Sequence, residues 1–508
     1  MGNKRKFFYN GIMLTLVGIA MRTAALFFNA FITKTIGAEG TGLYTVVMTV
    51  YGFAVTFATS GISLTVTKLV ASAAGERKEH KIPGILSGAV LYAFSFSFCA
   101  TVFTFFGAGF LGEVILGDER AVSAIKILSP SLIPLSMIAV FSGYFVGVRR
   151  VGCNALTQIA SQIFKIGATV WLVLRALPLD VEEAAKTLAI GATMTELIAF
   201  FVLLLEFVFD RRKRREDKKT APDVANVAKI AVPLGISAYI RQALVTLEHI
   251  LIPNRLRKRG ESLSQSLASY GTMHGLSLPL ILYPMVILSS FAGLLVPEFA
   301  ERSASGSEAS SSKVATKAIG TTLVYATLAS AVLFTFSEEL GYVIYGSYEA
   351  GRYVSVLAPI VPIMYLDHVT DSILKGIGEE VYSMWVNVTD ALLSVLLVWI
   401  LIPRLGILGY AVCIIVMEGY NFVLSFLRLR KRIKLNICFR KSVLFPLLSA
   451  LFSSYLVKSV FISAGSSTSA LWLVLEISFS VAIFVGIFRI LLLLDDARLF
   501  DKFKIRQQ

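Results

Sequence analysis

The sequence predicts an all-α, polytopic membrane protein of about fourteen transmembrane helices. Three observations lead there. Of the 508 residues, 56% are hydrophobic and only 16% are charged, against about 25% charged in an ordinary soluble chain. The apolar residues gather in runs of the roughly 20 residues that a hydrocarbon core of about 30 Å requires of a spanning helix. The charge falls between those runs, and the short segments of alternating polarity that mark a membrane β-barrel are missing.

The runs lie at 7–32, 42–66, 83–106, 125–147, 154–174 and 188–209, then at 227–252, 270–296, 318–336, 353–374, 381–402 and 407–427, with a last pair at 442–462 and 471–494. The first follows a basic start, Lys4-Arg5-Lys6, and is interrupted by Arg22. It has no small-residue cleavage site at its end, so an uncleaved span is expected rather than a signal peptide. With the N-terminus inside and sides alternating, Arg77-Lys78, Arg149-Arg150, the stretch from Arg211 to Lys219 and that from Arg428 to Lys441 share one face. The positive-inside bias makes that face cytoplasmic and both termini cytoplasmic. One outer loop runs against the bias, carrying Arg255, Arg257, Lys258 and Arg259.

The net charge of +15 resides in these short loops, and no soluble basic domain exists to bind nucleic acid. Cys99, Cys153, Cys413 and Cys438 have neither metal-ligand nor redox spacing and read as small hydrophobes.

The strongest break, Asp210-Arg211-Arg212-Lys213-Arg214-Arg215, follows the sixth span. It suggests an N-terminal lobe at 1–209, a cytoplasmic linker at 210–226, a second lobe at 227–441, and an appended pair of spans with a tail at 442–508. The halves resemble each other. Arg22 is followed seven residues later by Asn29, and Arg241 seven residues later by Glu248. The fourth span ends Gly143-Tyr144-Phe145-Val146-Gly147 and the tenth ends Ser372-Ile373-Leu374-Lys375-Gly376, with Pro130 and Pro134 in the one and Pro359 and Pro362 in the other. An even number of spans per half preserves orientation, the arrangement of parallel repeats about an axis along the membrane normal.

An ionisable group at mid-bilayer costs at least about 2.5–3.5 kcal/mol, so such residues face a cavity or a partner. Arg22 and Arg241 lie deep in the first span of each half and are the leading candidates for binding an anion. Asp367, His368 and Asp371 cover one turn of the tenth span and, with Asp390 in the eleventh, are candidates for holding a proton or cation. A structural ion pair is the competing role for each. Lys165, Glu196, His249 and Glu418 are further intramembrane charges. No phosphate-binding loop ending in Gly-Lys-Ser/Thr occurs, Glu248-His249 lacks the second histidine of a zinc protease helix, and no loop can hold a catalytic domain. A transporter without cofactor or metal is expected, not an enzyme.

Several stretches resemble bacterial polysaccharide-biosynthesis flippases: Gly18-Ile19-Ala20-Met21-Arg22 through Thr35-Ile36-Gly37-Ala38-Glu39-Gly40, Thr59-Ser60-Gly61-Ile62-Ser63 with Lys68-Leu69-Val70-Ala71, Ser161-Gln162, Tyr270-Gly271 and Leu295-Val296-Pro297. The chain is most similar to the stage V sporulation protein B-like branch of the multidrug/oligosaccharidyl-lipid/polysaccharide flippase superfamily, related to the lipid II flippases. That resemblance implies two six-helix lobes in a V, a central cavity and two extra C-terminal helices. It implies movement of an undecaprenyl-pyrophosphate-linked sugar across a bacterial cytoplasmic membrane by alternating access, with H+ or Na+ as coupling ion, in sporulation, peptidoglycan or other cell-wall synthesis. Arginines suit such a substrate because they grip phosphate bidentately. Arg22, Arg241, Asn29, Glu248, Arg255 and Arg257 are then the expected substrate-binding residues, and membrane lipid the expected surroundings of the tail. The chain departs from the lipid II flippases at Phe28-Asn29, where they carry a second basic residue. A multidrug or cation antiporter of the same superfamily is the first alternative, kept open by Glu248, Asp367 and Asp371. A membrane glycosyltransferase or polymerase is the second.

Overall fold

The computed structural model describes residues 2–505 other than 60, 77, 149, 215–220, 305–307 and 464–468. Arg77, Arg149, Arg215, Lys218 and Lys219, expected on the cytoplasmic face, lie outside the described residues. All regular structure among the described residues is helical. Twelve helices are long and apolar enough to cross a membrane, or thirteen if the bent pair Leu263–Leu282 and Met285–Ser303 is one span. The tally falls short of fourteen because the first two expected spans share one helical stretch, Gly18–Ala74, of 57 residues. At 1.5 Å per residue that is about 85 Å, far more than one crossing. Gly37 breaks it with φ 76° and ψ 174°, a backbone conformation that a residue with a Cβ avoids.

A single residue offset relates the two halves. It carries Gly117 onto Gly346, both left-handed at φ 70° and 72°. It carries the 3-10 turn Ser129–Ser131 onto Ala358–Ile360, the helix Leu132–Gly147 onto Val361–Gly376, and Val151–Ala176 onto Glu380–Leu405. Buried core residues obey it as well: Val66, Val70, Val140, Tyr144 and Phe145 map onto Leu295, Phe299, Val369, Ile373 and Leu374. Pro130 maps onto Pro359, whereas Pro134 and Pro362 fall one residue out of step. At each proline turn a hydroxyl from a neighbouring span takes up a carbonyl, Thr101 Oγ1 donating to Ser129 O at 3.2 Å and Ser330 Oγ to Ala358 O at 2.8 Å. The same offset relates these two bonds.

By compactness the chain forms two units, one of Met1–Lys34 with Thr272–Gln508 and the other of Thr35–Gly271. The first span therefore groups with the second repeat, and the seventh, Val224–Lys258, with the first. Within the Thr35–Gly271 unit the seventh span is held along its length. The Asp223 amide donates to Gly84 O at 2.9 Å, Asn254 Nδ2 donates to Ile115 O at 3.4 Å and Arg257 to Gly117 O at 3.4 Å. Glycines allow the closest approaches: a Cβ at Gly42 would lie 2.0 Å from Leu267 O, and one at Gly271 2.6 Å from Ala38 O. Those pairs exchange under the repeat offset, so a local two-fold relation runs between Gly42 and Gly271. The lobes at 1–209 and 227–441 follow the repeat and not this compactness.

Within the other unit, Lys458 ties the thirteenth span to the end of the ninth, donating to Thr335 O at 2.6 Å and pairing with Glu339 at 2.9 Å. Asp495, nearly buried, pairs with Arg440 at 2.5 Å and Lys441 at 3.7 Å, joining the last two spans.

Each half also carries an ion pair from the junction of its fourth and fifth helices to the end of its sixth, with the polarity reversed. In the first half Arg150 meets the buried Asp210, which also accepts from Tyr144 OH at 2.7 Å. In the second, Glu379 stands at the repeat-equivalent of Arg150 and accepts from Arg428 at 2.8 Å and from Arg432 at 2.5 Å. Burial pushes the Glu379 carboxyl up, but the hydrogen bonds from the two arginines outweigh it and hold the group below the ordinary range. A depressed carboxyl pKa stabilises the fold above the unfolded value of about 4.3 and loses that contribution as pH falls through the folded value. The melting temperature of the solubilised protein is therefore expected to drop more steeply between about pH 5 and pH 3 than that of Glu379→Gln. Equal slopes would show that the pair adds nothing.

Candidate functional site

The candidate residues fall into two groups, and each unit is described by itself. In the unit of Met1–Lys34 with Thr272–Gln508, the first span presents donors. Arg22 and Asn29 are both exposed, and their seven-residue spacing puts them on one helix face. Among the described residues Arg22 makes neither an ion pair nor a hydrogen bond. Its neighbour Thr23 donates to Ile19 O at 2.8 Å and meets Tyr283 OH at 2.8 Å. Tyr283 stands where the eighth span bends by 58°, ahead of Pro284. The broken backbone is taken up by two tyrosines, Tyr365 OH donating to Ile281 O and Tyr325 OH to Pro284 O, both at 2.7 Å.

The same unit holds the acidic group. Asp367 lies within electrostatic reach of Asp371 and Asp390, and Glu418 within reach of Asp367 and Asp390. Asp371 pairs with Lys375 one turn along at 2.6 Å, and His368 faces both. The Oδ1 atoms of Asp367 and Asn421 are buried with no hydrogen-bond partner among the described residues. No three side chains of metal-ligating type converge closely enough among the described residues to hold a metal ion, so the arrangement suits a proton or a loosely held monovalent cation. Glu418 was visible in sequence as an intramembrane charge. Its four-residue spacing from Phe422 and three-residue spacing from Asn421 gave no sign of its neighbours on other helices.

In the Thr35–Gly271 unit, Arg241 is exposed on the seventh span and has no ion-pair or hydrogen-bond partner among the described residues. No ion pair joins it to Glu248. Glu248 instead lies within electrostatic reach of Tyr270, whose hydroxyl meets His249 Nδ1 at 3.1 Å. Arg257 docks on the Gly117 carbonyl as above, and Arg255 is half-exposed one turn from the helix end. Beside them Arg120 bridges Asp118 at 2.9 Å and Glu39 at 2.8 Å, while Ser264 Oγ donates to Glu39 at 2.5 Å. Lys165 and Glu196 sense each other's charge, and Glu196 that of Tyr44 and Tyr51.

A guanidinium open at membrane depth implies water or an anionic partner, because hydrocarbon would exact its insertion cost. One unpaired arginine in each unit therefore suits anion binding, and the acidic group suits a cation.

A curated relative, "Stage V sporulation protein B" of Bacillus subtilis (strain 168), is 24% identical over 424 residues, covering 81% of each chain. Among solved structures, the lipid II flippase MurJ in an inward closed conformation matches with a TM-score of 0.71 at 12% identity, over 94% of this chain and 98% of that one. An inward-facing multidrug resistance MATE family transporter of the MOP superfamily matches at 0.64 and 12% identity, over 82% and 98%. At such identities the structures speak for the fold, which is that of the MOP transporters. The model of the family described as polysaccharide biosynthesis protein matches residues 7–303, more than half of the sequence, and the chain belongs to that family.

Proposed function

We propose that this chain is a flippase that moves an undecaprenyl-pyrophosphate-linked sugar across a bacterial cytoplasmic membrane by alternating access, a transporter and not an enzyme. The observation that carries the reading is the pair Arg22 and Arg241, open at membrane depth and without protein partners among the described residues. A pyrophosphate supplies the missing anion, and bidentate contacts to its oxygens use the planar fork that lysine lacks. Asn29 on the face of Arg22, and Glu248, Arg255 and Arg257 further along the seventh span, complete the proposed head-group set. Membership in a polysaccharide biosynthesis family and the likeness to a lipid II flippase support the same substrate class. The repeat halves 1–209 and 227–441 serve as lobes, 210–226 as a linker, and 442–508 as an appendage, with both termini cytoplasmic.

Arg22→Ala and Arg241→Ala are expected to cut flipping in proteoliposomes by tenfold or more, about 1.4 kcal/mol or above, at matched insertion. Lysine at either site restores part of it. Because no ion pair joins Arg241 to Glu248, adding Glu248→Gln to Arg241→Gln brings no recovery. Full activity in both arginine variants rejects the reading.

Asp367, His368, Asp371 and Asp390 are proposed to couple transport to an H+ or Na+ gradient, since unpaired acceptor atoms at Asp367 and Asn421 leave room for a cation. Dissipating the ion gradients and potential should slow net accumulation by the parent and leave Asp367→Asn unaffected. A parent indifferent to the gradients is a facilitated flippase without coupling. The acidic group and the MATE fold also favour a second reading, a cation or multidrug antiporter.

A further inference from the structure

Thr23 has one hydroxyl proton, and it goes to Ile19 O at 2.8 Å. At the 2.8 Å contact between Thr23 Oγ1 and Tyr283 OH, the phenol must therefore be the donor. The break in the eighth span does not need that bond. Tyr365 holds Ile281 O and Tyr325 holds Pro284 O, fixing the backbone on either side of Tyr283. Tyr283 itself is half-buried, and its phenol rests on a neutral hydroxyl one residue away from a guanidinium with no partner among the described residues.

We infer that Tyr283 is a further head-group-binding residue, whose phenol leaves Thr23 to donate to a phosphate oxygen held by Arg22. The inference rests on the reading that Arg22 grips the pyrophosphate, and it adds a residue from another span to that grip. The exchange is favourable because an ionised oxygen accepts a shorter and roughly twice stronger hydrogen bond than a neutral one. Thr23 keeps its own bond to Ile19 throughout, so no buried donor is stranded. Thr23 thus acts as a parking acceptor, competing with the ligand for one proton donor.

That competition gives the two partners opposite effects on binding. The probe is farnesyl pyrophosphate, titrated against the purified full-length protein in nanodiscs. Tyr283→Phe removes the donor and should weaken binding roughly tenfold, the size of one charge-assisted hydrogen bond. Thr23→Val removes the competitor and should tighten binding by about two- to threefold, the hydroxyl exchange no longer opposing it. If the two variants weaken binding alike, the pair is scaffolding and the inference falls. If Tyr283→Phe binds as the parent does while Arg22→Gln binds poorly, Tyr283 is excluded and the arginine reading stands. If Arg22→Gln also binds as the parent does, the anion reading itself fails.

Discussion

A backbone N–H or C=O left without a partner in hydrocarbon costs several kcal/mol, and the rest of this structure follows from that constraint. It makes every span a helix. It also decides how a span can be interrupted, since a proline or glycine at membrane depth frees carbonyls that some other group must take up. Here hydroxyls do so: Thr101 on Ser129 O and Ser330 on Ala358 O at the two proline turns, Tyr365 and Tyr325 at the break of the eighth span. These satisfied breaks let otherwise rigid helices change direction without exposing backbone to lipid. Functional polar groups gather beside one of them, where Thr23 and Tyr283 meet next to Arg22.

The same economy explains the charge distribution. Carboxylates and guanidinium groups at helix ends are neutralised within the chain, as Asp210 is by Arg150 and Glu379 by Arg428 and Arg432. Arg22 and Arg241 break that pattern among the described residues. Two cations left open deep in their spans are costly to keep unless something anionic visits, which is why they carry the functional reading. The acidic group around Asp367 is the complementary case, with carboxylates crowding one another instead of pairing off, apart from Asp371 with Lys375.

Much of this was legible in the sequence, for definite reasons. A single arginine in twenty apolar residues is conspicuous, so Arg22 and Arg241 stand out without any structure. Pro130 and Pro359 mark equivalent turns because proline dictates backbone geometry locally. What stayed hidden depends on distant partners. Tyr283 lies 260 residues from Thr23, and nothing in the period of either helix points to the other. Glu418 joins Asp367 and Asp390 only once three helices pack. The repeat itself was veiled because packing conserves shape and not identity: Val70 becomes Phe299 and Tyr144 becomes Ile373, while Arg150 becomes Glu379 with its partner's sign inverted. The exchange of the first and seventh spans between the compact units is likewise invisible to a reading that divides the chain at its most basic loop.

The central claim concerns the charge of the cargo, and one transport measurement addresses it directly. Proteoliposomes containing the full-length protein are loaded with a fluorescent undecaprenyl-pyrophosphate-linked sugar in one arm and with the cationic dye ethidium in the other. The account predicts that the protein exposes the lipid-linked sugar to an external quencher faster than protein-free liposomes do, and leaves ethidium where it is. Transport of ethidium with no effect on the lipid-linked sugar would contradict it and assign the chain to the cation exporters.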